Sequence, residues 1–451
     1  LKLKDAKFHF VGVGGVGMSA LAELLRHMGA EVSGSDLRDN ALTQHLKKIG
    51  VKVFKGHEES NLGKPDVLVY SSAVKPSNCE YKMARQLGIP VIPRAEALAE
   101  IMRFKRSIAV GGTHGKTTTT SMLAAILLHA KKDPTIAVGG RLQLIESTAR
   151  LGSGPWLVAE ADESDGSFRR LKPEIAVITN VDSDHLDHFG NFESICRAFR
   201  GFGESIPFYG STVLWGDDPK IREVFDGFPK RLFYYGFSED NHFVIRPEKE
   251  GYSLIHEGEV LGSFQLKVPG RHNVLNGVAA AIAAWQTGVS WPLCFTGLES
   301  YSGVDRRFQK IYQDESFAIY DDYAHHPTEV RATLQGVREK FKDWHIKVLF
   351  QPHRFSRTKD CWTDFMKAFK EADQTLVADV YRAGEDPIEG INGPSFAKEL
   401  QSNSEYLKGS DDFLREVVKS APRKTLFLTM GAGDIWKKGH QIKNIIEQAQ
   451  P

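Results

Sequence analysis

"GGTHGKTTTT", residues 111–120, lies between the apolar run "RSIAV" (106–110) and "SMLAAILLHA" (121–130), which has helical composition. Strand, glycine turn and helix in that order open an α/β phosphate-binding unit. The usual nucleotide loop keeps four residues between its glycines, G-x-x-x-x-G-K-[ST]. That spacing would need glycine at 110, where the chain has Val110. The stretch is therefore either a phosphate cradle of another make or a plain glycine turn. Lys116, followed at once by Thr117 and Thr118, favours the cradle. Gly111, Gly112 and Gly115, with Thr113 between them, supply backbone N–H groups that can face phosphate oxygens. Lys116 can reach the β- and γ-phosphates, and the Thr117 hydroxyl can bind Mg²⁺.

A second glycine loop opens the chain. "GVGGVG" (12–17) places Gly12, Gly14 and Gly17 as G-x-G-x-x-G after the strand-like "FHFV" and before the helical "MSALAELLRHMGA". Such a loop lets backbone approach a diphosphate at a helix N-terminus. Asp36 closes the next strand, 19 residues after Gly17, where a ribose-binding carboxylate belongs. Gly15, Val16, Ser35, Ser71 and Ser72 complete the candidate sugar-nucleotide contacts. The pattern fits NAD or a UDP-sugar alike, and a βα turn without ligand is the plain alternative. Two such loops assign one to a substrate and the other to ATP.

The rest of the chain is α/β throughout. Its 451 residues exceed one core and suggest two to four domains. Strand runs alternate with helical stretches in three blocks: 1–103, 104–298 and 299–451. The expected architecture is a Rossmann-like N-terminal domain, a central P-loop ATPase-like domain and a Rossmann-like C-terminal domain. Within the central block, "HFVIRPEKEGYSLIHEGEVLGSFQLKV" (242–268) alternates and turns at E-G, as a small antiparallel excursion would.

Fifty-eight basic against 57 acidic residues leave no electrostatic footprint for nucleic acid. Cys79, Cys196, Cys294 and Cys361 lie far apart and read as thiols in a reducing compartment. No apolar run approaches the roughly 18 residues of a membrane span, and no signal peptide opens the chain. The expectation is a cytoplasmic protein without membrane insertion.

Longer motifs carry a resemblance. "GTHGKTT" (112–118), "EADESDGSF" (160–168), "NVDSDHLDHF" (180–189) and "GRHNVLNGVAAA" (270–281) resemble the Mur ligases of peptidoglycan synthesis. So do "DDYAHHPTEV" (321–330), "FQPHRFSRT" (350–358) and "MGAGDI" (430–435). The matches run in order over nearly the whole chain. The family phosphorylates a carboxylate with ATP and lets an amine attack the acyl phosphate. With "GVGGVGMSALA" at the start, the resemblance implies UDP-N-acetylmuramate and L-alanine as the small-molecule substrates, in a monomer or weak homodimer.

That chemistry brings two anions together, so cations are the main requirement of the site. The resemblance implies Lys116, His114, Glu160, His185 and Arg306 as catalytic residues. It makes Thr117 and Glu160 ligands of Mg²⁺. From composition alone Glu160 reads as a solvated acid. Coordination chemistry alone reads His185 as a loop histidine, since Mg²⁺ prefers oxygen. The resemblance instead puts it on a second metal ion, where Mn²⁺ would substitute well. It places His272 and Asn276 at the ATP base, Arg306 (rather than Arg307) at ATP phosphate and Asp322 at the ribose. Arg354 and Arg357, at i, i+3, offer guanidinium forks for the amino-acid carboxylate, with Tyr323 and His325 as further walls. Solvated surface arginines are the alternative.

Three other readings compete. A tripeptide-adding recycling ligase of the same family shares the sugar nucleotide. A nicotinamide-dependent dehydrogenase explains "GVGGVG" but leaves Lys116 and Glu160 idle. An ATP-gated switch predicts binding without amide formation.

Overall fold

The computed structural model describes residues 4–71, 73–164, 166–184, 186–400, 403–408 and 411–449. They form three α/β layers in two compact units, Leu1–Lys267 with Val274–Ser302, and Val268–Asn273 with Gly303–Pro451.

In the first unit, β1 (Lys7–Val11), β2 (Glu31–Asp36), β3 (Lys52–Lys55), β4 (Val67–Tyr70) and β5 (Val91–Pro93) pair in the order β3-β2-β1-β4-β5. All four pairings are parallel. The helix Val16–His27 covers this sheet because Met18, Leu21, Leu24 and Leu25 fall on one buried face. Chain order reverses between β1 and β4, the switch point beyond whose carboxyl ends sheets of this kind bind ligands. The first glycine loop follows β1, and Ser71 follows β4.

The same unit holds a ten-stranded sheet. Its strands are β6 (Arg106–Gly111), β7 (Thr135–Leu142), β8 (Ser147–Arg150), β9 (Trp156–Glu160), β10 (Ile175–Ile178), β11 (Ser211–Trp215), β12 (Leu232–Gly236), β13 (Phe243–Pro247), β14 (Tyr252–His256) and β15 (Glu259–Phe264). Their order is β15-β14-β13-β12-β11-β10-β6-β9-β7-β8. β6 sits centrally, parallel to β9 and β10. The antiparallel excursion at β13–β15 is present, but it is continuous with the main sheet through the parallel β12–β13 pair. The helix Lys116–His129 leaves β6 and is buried from Thr117 to Leu127, which explains its lack of a polar face. Arg94 Nη2 meets Asp162 Oδ2 at 2.8 Å, and Ser147 Oγ donates to Glu23 at 2.9 Å, so both sheets share one unit.

The second unit has β16 (Gln309–Gln313), β17 (Phe317–Asp322), β18 (His345–Phe350), β19 (Gln374–Val377), β20 (Ser404–Tyr406) and β21 (Thr425–Met430). The order is β16-β17-β21-β18-β19-β20, parallel except for β16–β17. Among the described residues, no helix is long and apolar enough to cross a membrane.

Candidate active site

The second glycine loop turns from β6 into its helix with Gly112 at φ +131° and Gly115 at φ +81°. Gly112 cannot be replaced without strain. An L-residue rarely adopts that φ, and a Cβ there would collide with Thr179 Oγ1. Residues just after β10 brace the loop. Thr179 Oγ1 donates to the His114 carbonyl at 2.6 Å, and Asn180 Oδ1 accepts the His114 N–H at 2.8 Å. Asp182 N donates to Thr113 Oγ1 at 2.9 Å, and His114 Nε2 lies 3.1 Å from Asp182 Oδ2. None of these three braces was legible as such, because nothing local ties 179–182 to 113–114. The parallel β6–β10 pairing does.

Lys116 is the buried cation of the loop. Its Nζ donates to Gly112 O at 2.7 Å, Thr113 O at 3.0 Å and Glu163 Oε1 at 2.8 Å. Burial works against its charge, but Glu163, Asp162 and Glu160 outweigh burial and hold its pKa above the usual lysine value. Thr117 and Glu160, 43 residues apart, meet directly: Thr117 Oγ1 donates to Glu160 Oε2 at 2.9 Å. The same oxygen accepts Gly139 N–H at 2.9 Å. Glu160 is therefore no solvated acid, and two oxygen donors of the kind Mg²⁺ takes lie side by side. Thr118 is buried beneath the loop. His185 lies outside the described residues.

Asn276, on the helix Arg271–Trp285, lies beside the second glycine loop. Its Oδ1 would stand 2.6 Å from a Cβ on Gly115. The carboxamide is thus against Gly115, the residue that caps the helix Lys116–His129. His272, in the second unit, is pushed down to about 4 by burial and by Arg307, against Glu329. Asn273 does not cap the helix; its Nδ2 donates to Pro269 O at 2.6 Å.

The first glycine loop is built differently. Gly12 has φ +81° and its N–H donates to Ser35 O at 2.8 Å. Gly15 caps the helix, half-exposed Val16 begins it, and Gly17 packs on Arg94. Gly14 N–H donates to Asp36 Oδ2 at 2.8 Å, and a Cβ at Gly14 would come within 2.9 Å of the same oxygen. Asp36 thus shapes the loop itself, with its other oxygen accepting Arg38 N–H at 3.0 Å. Ser71 lies beside Gly12, its Cβ 3.1 Å from where a Gly12 Cβ would be. Ser72 is outside the described residues. Ser35, expected as a sugar contact, turns its side chain into the protein. It is fully buried, and its hydroxyl bonds Glu80 and His57 in a network completed by His9 and Asn61. The reason is alternation along β2, which turns this side chain inward.

In the second unit the candidate residues gather at the carboxyl ends of β17, β18 and β21. Arg306, at φ +62°, bonds Asp321 Oδ2 at 3.0 Å, Gly431 O at 2.6 Å and Gly433 O at 3.0 Å. Most of its fork is engaged by the glycine turn after β21. Arg307 lies 3.7 Å from Glu329. Asp322 accepts Phe308 N–H at 2.7 Å and Ala324 N–H at 2.9 Å, and burial lifts its pKa to about 6. Its carboxyl braces local backbone, a role the resemblance did not imply.

Tyr323 and His325 meet edge to face at 5.2 Å. Burial, with Arg357 and against Glu329, pushes His325 down to about 3. His353, missed in the sequence, stacks on Tyr381 at 5.4 Å and lies 5.6 Å from His325. Burial and the nearby Arg357 and Arg354 bring it to about 4. Arg354, at φ +69°, directs Nε to Glu385 at 2.7 Å. Neutral imidazoles beside Arg357 form a site suited to an anion and a small apolar group.

Three family models match in sequence order: the Mur ligase family catalytic domain over residues 7–106, the Mur ligase middle domain over 110–284, and the Mur ligase glutamate ligase domain over 306–433. The chain belongs to the Mur ligase family. This Mur ligase is 54% identical to UDP-N-acetylmuramate–L-alanine ligase of Bdellovibrio bacteriovorus, over 98% of its own length and 100% of that chain. It is similar to the crystal structure of UDP-N-acetylmuramate–alanine ligase from Thermotoga maritima (TM-score 0.81, 30% identity, 98% of this chain and 100% of that one). A murein peptide ligase from Psychrobacter arcticus shares the fold at TM-score 0.71 and 22% identity, covering 98% and 99%.

Proposed function

We propose that this Mur ligase joins L-alanine to the lactyl carboxylate of UDP-N-acetylmuramate, with ATP forming the acyl phosphate and ADP and phosphate released. The observation that carries the reading is the 54% identity along the whole length of a relative named for that reaction. Among solved structures the Thermotoga alanine ligase stands at TM-score 0.81 and 30% identity, against 0.71 and 22% for the Psychrobacter peptide ligase and 0.63 and 28%, over 67% of this chain, for a tripeptide-adding ligase of Neisseria meningitides. The dehydrogenase reading offers no work for Lys116 or for the Thr117–Glu160 pair.

The residues take the following roles. Gly12, Gly14, Gly15, Val16, Gly17 and Ser71 shape the sugar-nucleotide loop, with Asp36 holding it. Gly112, Thr113 and Gly115 present backbone to the ATP phosphates. Lys116 offsets the repulsion between the carboxylate and the γ-phosphate, and His114 stands beside them. Thr117 and Glu160 would hold Mg²⁺, which when bound supplies further positive charge against the phosphates. Arg357 takes the alanine carboxylate, and Tyr323 and His325 confine its methyl group. A pocket of that kind discriminates a methylene or hydroxyl by only about 1–3 kcal/mol, which leaves room for glycine and serine as competing amines. Functional boundaries at 1–103, 104–298 and 299–451, a cytoplasmic location and a monomer or weak homodimer belong to the same reading.

Phosphate release is the test. Sustained release is expected only when ATP, UDP-N-acetylmuramate and L-alanine are all present. Equal release with a tripeptide in place of alanine would favour the recycling ligase, and release without any amine would favour the switch.

A further inference from the structure

Lysine has three N–H donors and no more. Lys116 uses all three within the protein, on Gly112 O, Thr113 O and the Glu163 carboxylate. A phosphate oxygen can bond this ammonium only by replacing one of them. The two carbonyls belong to the loop that would carry the phosphate. Among the described residues Glu163 is the ion-pair partner of Lys116, with Nζ 2.8 Å from each of its oxygens.

Glu163 is 2% exposed, and the backbone around it is fixed. Ala161 N donates to Val110 O at 2.9 Å, Gly166 N to Glu163 O at 2.7 Å and Ser164 N to Asp162 Oδ1 at 3.1 Å. Asp162 is pinned to Arg94, and Glu160 to Thr117 and Gly139. The carboxylate is thus carried on a braced, buried backbone. The lysine side chain, with four rotatable bonds, is the one that can turn.

We infer that Glu163 is a positioning residue: its carboxylate and the terminal phosphates of the nucleotide compete for Lys116, which exchanges one for the other as nucleotide binds. The inference rests on the reading of ATP at Lys116. Burial and the neighbouring Asp162 raise Glu163 to about 7, so this carboxylate holds charge weakly once the lysine leaves. The pair keeps the buried cation compensated, and lets it go to a stronger anion.

The test is a double-mutant cycle read by calorimetric binding of a non-hydrolysable ATP analogue, with UDP-N-acetylmuramate binding as the folding control. Lys116→Ala alone must weaken the analogue; if it does not, the assignment of ATP to this loop fails and the competition fails with it. Given that weakening, Glu163→Gln is expected to tighten the analogue about five- to tenfold, because the lysine is no longer withheld. In the Lys116→Ala background the same substitution is expected to change affinity less than about twofold. Glu163→Asp withdraws the charge by one methylene and should act in the same direction at smaller size, which covers a glutamine variant that does not fold. Unchanged or weakened affinity in Glu163→Gln overturns the inference. So does equal tightening with and without Lys116, which would mark general charge repulsion instead.

Discussion

The two glycine loops of the first unit follow the same local plan, strand then turn then helix, yet differ in what holds them. In the first, a carboxylate reaches in: Asp36 takes the Gly14 N–H, and close packing of Ser71 against Gly12 and of Arg94 against Gly17 sets the shape. In the second, a cation sits inside. Lys116 is clasped by two loop carbonyls and Glu163, while Thr179, Asn180 and Asp182 hold the turn from a neighbouring strand. The first is a platform fitted by shape. The second is an electrostatic device, with a buried cation held against carboxylates. Glycine spacing makes a loop; the groups that satisfy its donors and acceptors decide what it handles.

The largest effect should come from removing the cation. Lys116→Ala is expected to lower turnover in phosphate release by about 10³-fold, the cost of losing a preorganised charge at a developing anion. Binding of UDP-N-acetylmuramate should stay within about twofold, since the platform does not use it. Next comes Glu160→Gln, which leaves shape nearly intact. The Mg²⁺ concentration for half-maximal turnover should rise about 10- to 100-fold, while sugar-nucleotide affinity again stays put. A matching loss of sugar affinity in either variant would dissolve the distinction between the loops.

The smallest effect lies in the second unit and marks the limit of the comparison. His325 and His353 are depressed to about 3 and about 4 from an ordinary 6.5, first by burial. Between those values and about 6.5 the unfolded chain binds more protons than the folded one, so stability is full above that window and falls as pH drops through it. Melting temperature should decline by a few degrees between about pH 7 and pH 5, and His353→Gln should make the slope shallower. An unaltered slope would remove the neutral imidazole from the account.

Much of the second loop was legible because its chemistry is contiguous: Gly112, Gly115, Lys116 and Thr117 lie within six residues. Glu160 gained meaning at the end of a strand beside β6, although composition alone pointed to a solvated acid. What holds those residues was not legible. Glu163, Asn180 and Asp182 reach the loop only through strand pairing. The internal partners of Ser35 and Asp322 were hidden for the same reason. A polar residue at a strand end looks like a ligand contact, and the pleat decides whether it faces a cleft or a buried network. Strands β3, β16 and β20 carry too little apolar pattern to announce themselves, and the β7–β8 hairpin depends on the neighbour it joins. That Asn276 packs against Gly115 was likewise hidden, because helix packing has no local signal.

The division of labour between the loops is tested most directly by crossed binding isotherms. Gly14→Ala, which drives a methyl group against Asp36, and Lys116→Ala are each titrated with UDP-N-acetylmuramate and with a non-hydrolysable ATP analogue. Gly14→Ala is expected to lose only the sugar nucleotide and Lys116→Ala only the ATP analogue. Loss of both ligands in one folded variant, or the opposite pairing, would contradict it.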